Sequence, residues 1–104
     1  MEPKSIPMSI FRIGETQAKP ETIEALRDFL LSIMPGIRSS HGCESVQLFQ
    51  SQDDGTKFTM IEVWDSMESH RASVKDIPPD LLAQIRPLLG GTPSGGYFEL
   101  VEQH

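Results

Sequence analysis

Between Lys57 and Trp64 the chain alternates in a way that only an extended segment can use: Phe58, Met60, Glu62 and Trp64 point one way, Thr59, Ile61 and Val63 the other. Both sets contain large apolar groups, so both faces of this strand need cover. The preceding run, about Ser45 to Gln50, alternates too, and the connecting Ser51 to Thr56 contains Asp54-Gly55, a hairpin turn signal. Two antiparallel neighbours are therefore predicted. Upstream, Met8, Ile10 and Arg12 against Ser9, Phe11 and Ile13 read as a first strand, again with apolar groups on both faces.

Lys19-Pro20-Glu21 opens a helix, because proline is tolerated in the first turn and acids favour its positive end. Ile23, Leu26, Leu30 and Ile33 recur at helical spacing, and Pro35-Gly36 is expected to stop it. Asp65-Ser66 begins a second helix with Glu68 in a capping-box-like position, and Met67, His70, Arg71 and Val74 share one of its faces. Pro78-Pro79-Asp80 breaks that helix and restarts a shorter one through Leu88, with an end or kink expected near Arg86 because Pro87 follows. Gly90 to Gly96 reads as a loop and Tyr97 to Val101 as the last strand.

The resulting order, βαββαβ, is the ferredoxin-like split arrangement of the α+β class, an antiparallel sheet with helices on one face. One domain is expected over residues 8–102, with residues 1–7 a loose leader. A chain of 104 residues buries about 65% of its unfolded surface. That suffices for a modest core, and the second sheet face then calls for a second copy of the chain, a dimer that closes the open sheet faces against each other.

Charge and composition exclude several functions. The formal charge is −6 and the basic residues are scattered, so no footprint for a nucleic-acid backbone is present. The longest near-apolar run, Phe29 to Met34, is far short of the ~20 residues of a membrane span. A single cysteine, Cys43, rules out an intramolecular disulfide and fits a reducing cytoplasm. None of His41, His70 and His104 sits in a recognised metal pattern, so chemistry without a protein-bound metal is expected. The Gly90–Gly96 loop lacks the following Lys-Ser/Thr of a phosphate cradle and is interrupted by Pro93. His41 and Cys43 have no acid placed to form a nucleophilic pair.

What remains is the end of the third strand and the helix after it. Glu62, between Met60 and Trp64, needs a hydrogen-bond partner, solvent, or a pKa raised by desolvation. Read as a structural residue it is an edge or interface carboxylate. Trp64 and His70 both reach towards the space between sheet and helix, where they form either a small-molecule pocket or a core pair with a satisfied histidine. Arg86 is a weaker candidate for holding an anion or a carbonyl, against the alternative of covering a helix end.

The segment Phe58-Thr59-Met60-Ile61-Glu62-Val63-Trp64-Asp65-Ser66-Met67-Glu68-Ser69-His70-Arg71-Ala72-Ser73 resembles the antibiotic biosynthesis monooxygenase, or quinol monooxygenase-like, family, and element order extends the likeness over roughly residues 8–102. The Glu-x-Trp strand end leading to an inward His is its most specific part, and Arg86-Pro87-Leu88-Leu89 resembles one branch. The resemblance implies a homodimeric barrel with a pocket in each subunit. It also implies oxygenation of a small phenol, quinol or polyketide by dioxygen, with no metal, flavin or nicotinamide. His70 would then be the base and Trp64 the aromatic partner, the two catalytic candidates. Glu62, Met60, Phe58 and Arg86 would contact substrate or tune its charge. The chain contains no asparagine, so the Asn-containing trio of haem-degrading relatives cannot be assembled. A non-catalytic ligand-binding or stress-associated barrel on the same scaffold is the competing reading.

Overall fold

The computed structural model describes residues 9–104; the expected leader and Met8 lie outside that range. The elements run β1 (Ile10–Gln17), α1 (Ile23–Arg38), β2 (Cys43–Gln50), β3 (Lys57–Trp64), α2 (Met67–Lys75), α3 (Pro79–Ile85) and β4 (Ser94–Phe98). The strands form one antiparallel sheet in the order β2-β3-β1-β4. This is the ferredoxin-like α+β arrangement.

Alternation decides which residues meet across the sheet. Ala18, Leu26, Leu30 and Phe58 form the core between sheet and α1, joined by Leu48, Met60, Ile33 and Ile85. On the opposite face Ile13 pairs with Ile61 and Phe11 with Val63. Phe49 and Phe98, at the sides of that face, are about half exposed. Among the described residues no helix lies over this second apolar face.

Four local expectations are corrected. β1 continues past Ile13 to Gln17, because β3 pairs with it along its whole length, from Ile10–Trp64 to Gln17–Lys57. α1 does not stop at Pro35-Gly36 but runs to Arg38, with Ser39 N–H bonded to the Pro35 carbonyl at 3.0 Å. A proline removes only the bond to the carbonyl four residues back, here that of Leu31, a residue on the exposed side where water can reach it. The cap of α2 is Ser66 rather than Asp65: its Oγ accepts from Ser69 N–H at 3.1 Å.

The last strand is Ser94–Phe98 rather than Tyr97–Val101, so the expected glycine loop contributes half of it. Pairing with β1 selects that register: Tyr97 faces Arg12 and Gly95 faces Gly14. A Cβ on Gly95 would approach the Arg12 guanidinium, which explains a glycine inside a strand. α3 does end near Arg86, although Arg86 keeps helical angles and opens a short 3-10 turn with Pro87 and Leu88. The pre-proline preference is thus overridden by the turn bond from Leu89 N–H to the Arg86 carbonyl at 3.2 Å.

The register creates one row that matters for the site. Val46, Glu62, Arg12 and Tyr97 lie abreast on the helix-facing side. An acid, a cation and a phenol from three strands therefore share one level of the sheet.

Candidate active site

Glu62 and Trp64, two residues apart on β3, project from the same face, and the sharp turn into α2 brings His70 back over them. Gly42 shapes that corner: its φ is +88°, and a Cβ there would collide with Ser69 and Asp65. Its carbonyl accepts from Asp65 N–H at 2.8 Å, tying the start of β2 to the strand–helix turn.

Trp64 is buried to 1% exposure, and its Nε1–H donates to Glu62 Oε1 at 2.8 Å. The His70 ring stands edge-on to the indole, with centroids 5.4 Å apart and planes at 73°. Its Nδ1 lies 2.7 Å from the Tyr97 hydroxyl, and Tyr97 is in turn edge-on to it at 5.4 Å. Arg12 sits 5.0 Å and Arg71 5.5 Å from the centre of the Tyr97 ring. Three aromatic rings are thus joined in a line with two guanidiniums at the far end.

This environment sets the charges. Burial pushes the His70 pKa below its ordinary value, and the positive charges of Arg12 and Arg71 push it further the same way. Both effects favour the uncharged imidazole, the form in which a histidine can act as a base. Burial raises Glu62, while the Trp64 N–H and the Arg12 charge partly oppose that rise. Cys43, opposite Trp64 on β2, has its thiol pushed up by burial and by Glu62, which makes it a packed side chain rather than a nucleophile.

A cleft of about 530 Å³ opens beside this line. Phe29, Ile33 and Ile37 of α1, Trp64 of β3, and Ile77 and Ile85 belong to its apolar wall, with Glu62 and His70 among its polar groups. The passage of α1 through Pro35 is what brings Ile37 to the cleft. The volume and apolar walls suit a small aromatic molecule. Among the described residues no three His, Cys, Asp or Glu side chains converge where they could hold a metal ion.

The six candidates from the sequence separate here. Trp64, His70 and Glu62 meet at the cleft. Met60 packs against the core, and Phe58, 1% exposed, belongs to the core itself beneath α1. Arg86 lies in the turn after α3 and does not line the cleft. Tyr97, Arg12 and Arg71 were not anticipated. A charged residue in the middle of the apolar set of β1 was the available signal for Arg12, whereas its meeting with Tyr97 depends on register.

A helix-backed antiparallel sheet with an apolar cleft at one end of its third strand defines a ferredoxin-like α+β protein. The chain belongs to the antibiotic biosynthesis monooxygenase family, whose model matches residues 9–76. A protein of Chloroflexus aurantiacus, provisionally named an antibiotic biosynthesis monooxygenase, is 33% identical, with 92% of this chain and 96% of that one covered and a TM-score of 0.73. One of Nitrosomonas europaea, provisionally named in the same way, is 14% identical with a TM-score of 0.83 over 93% and 94%. Rv0793 of Mycobacterium tuberculosis is 22% identical, with a TM-score of 0.79 over 91% and 97%. No match is found among curated proteins.

Proposed function

We propose that the protein is a homodimeric monooxygenase that oxidises a small phenolic, quinol or polyketide-like substrate with dioxygen, without metal or organic cofactor. The observation that carries this reading is a buried histidine in the wall of an apolar cleft, held between Trp64 and Tyr97. His70 accepts the proton of a substrate hydroxyl. The resulting phenolate passes one electron to dioxygen, and the two radicals combine to form a C–O bond at a ring carbon. The peroxide takes back the proton from His70. Cleavage of its O–O bond, with the hydrogen of the same ring carbon lost to the departing hydroxide as water, leaves a ring carbonyl, so one oxygen atom enters the product and the other leaves as water. The protein's part is to bind, to move a proton and to exclude bulk water.

Trp64 offers an aromatic wall to the ring, and Glu62 tunes the charge beside it. The uncovered sheet face carrying Ile13 and Ile61 supports the dimer, since a second copy would bury it. Cys43, a buried free thiol, is compatible with a reducing cytoplasm.

The test is dioxygen consumption by metal-stripped protein across hydroquinones and polycyclic phenols, with His70→Ala and the uncatalysed reaction as controls. Uptake above background that falls at least ~100-fold in the variant is expected for a general base. The near-complete burial of Trp64 favours a second reading, a dimeric ligand-binding barrel in which the indole only walls the cleft. Phenols that bind without any uptake would establish that reading instead.

A further inference from the structure

The charges around the site are sorted by side. Arg12 and Arg71 are turned to the Tyr97 ring, and neither they nor Tyr97 line the cleft. The cleft itself is lined by two carboxyl groups, Glu62 deep beside Trp64 and Asp76 at the exposed rim, and among the described residues no lysine or arginine lines it. His70, whose burial and neighbouring guanidiniums disfavour its charged form, offers little compensating charge. Glu62 Oε1 is occupied by the Trp64 N–H, which leaves the second carboxyl oxygen for a ligand's hydrogen-bond donor.

From this arrangement we infer that the cleft selects neutral aromatic alcohols and rejects those carrying a carboxylate or another permanent negative charge. The inference rests on the cleft being the substrate site of the proposed oxygenase and narrows its substrate class. An anionic ring entering here passes Asp76, loses its water against apolar walls, and comes to rest by Glu62, whose neighbouring cation, Arg12, is turned to the Tyr97 ring and does not line the cleft. Leaving a buried charge unpaired is one of the larger penalties a site can impose. A hydroxyl meets no such penalty, because Glu62 accepts its hydrogen bond, as does His70 in the tautomer whose Nδ1–H donates to the Tyr97 hydroxyl. The substrate therefore arrives uncharged, and its phenolate is formed only inside the cleft.

The experiment is isothermal titration calorimetry of the full-length protein under argon with three ligands: 2-naphthol, 6-hydroxy-2-naphthoate and the methyl ester of the latter. The ester matches the carboxylate in size but not in charge. Binding of the naphthol and the ester is expected, with the carboxylate at least ~10-fold weaker, about 1.4 kcal/mol. Glu62→Gln keeps the shape and should recover part of the carboxylate binding. A carboxylate that binds as tightly as its ester overturns the inference while leaving the oxygenase reading standing. Failure of both neutral ligands to bind overturns it as well. If the neutral ligands bind preferentially but no phenol supports dioxygen uptake, charge selection holds and the oxygenase reading fails.

Discussion

A Cβ placed on Gly95 would fall 2.7 Å from Nη2 of Arg12, so the glycine leaves the space in which that guanidinium rests beside Tyr97. The obstructed atom is the free end of a long side chain that can move aside. Gly95→Ala is therefore expected to cost under about 1 kcal/mol of stability. Its larger effect should be on His70: displacing a positive charge that lowers the histidine's pKa lets that pKa rise. An NMR titration of the His70 ring protons checks this, and an unchanged midpoint in the variant would mean that Arg12 is not felt at the imidazole.

Trp64→Phe removes buried volume and the donor that Glu62 Oε1 accepts. A loss of about 2 kcal/mol is expected from the two effects together, or a fall in Tm of roughly 10 °C for a chain of this length. The pKa of Glu62 should rise further, since the indole N–H favours its ionised form. Thermal denaturation tests the first claim. A Tm within a degree or two of the parent would show that the indole is not integral to the packing.

The two perturbed groups of the cleft act on stability with opposite signs. His70 has a folded pKa below its ordinary 6.5, so on acidification the unfolded chain takes up a proton that the folded one refuses. Its contribution is fully present above about pH 6.5 and is lost as the pH falls through the folded pKa. Glu62 has a folded pKa above 4.5, so the folded chain keeps a proton that the unfolded one has released. Stability is lost here as the pH rises from about 4.5 through the folded pKa. Glu62→Gln should thus be more stable than the parent at neutral pH, with the advantage shrinking towards pH 4.5. Paired melts across this range decide it, and an advantage that is constant with pH would refute the assignment to ionisation.

The open sheet face yields a prediction about assembly. Ile61 lies at its centre, abreast of Ile13 and Gln47. Ile61→Glu should convert a dimer of the chain to monomer or precipitate, because the carboxylate would be buried unpaired. Light scattering reads the mass directly; a parent protein that is already monomeric, or a variant that stays dimeric, would refute the sheet-to-sheet dimer.

The β2–β3 hairpin was legible because its signals are local: alternation on both sides of Asp54-Gly55, whose Asp54 Oδ1 takes the Thr56 N–H at 3.0 Å and its hydroxyl at 2.6 Å. Trp64 and His70 were legible for the same reason, six residues apart across one strand–helix turn. Alternation, however, reports the face of a strand and not the level along it. Phe58 shares the face of Trp64, but each step of two residues moves ~7 Å along the strand, which carries Phe58 out of the cleft and under α1. Pro35 and the Gly95-Gly96 pair were misread because punctuation acts through local preference, and here tertiary packing decides against it. Tyr97 reaches His70 from 27 residues away, and only the pairing of β4 with β1 puts it there.

Trp64 is the sole tryptophan of the chain, and it forms part of the cleft wall with His70 against its edge. The protein consequently carries its own optical reporter at the point of interest. Near-ultraviolet emission will arise from this one indole, free of the averaging that several tryptophans impose. An aromatic occupant will quench or shift it, and protonation of the neighbouring imidazole will dim it, so occupancy and titration can both be followed by light without a label.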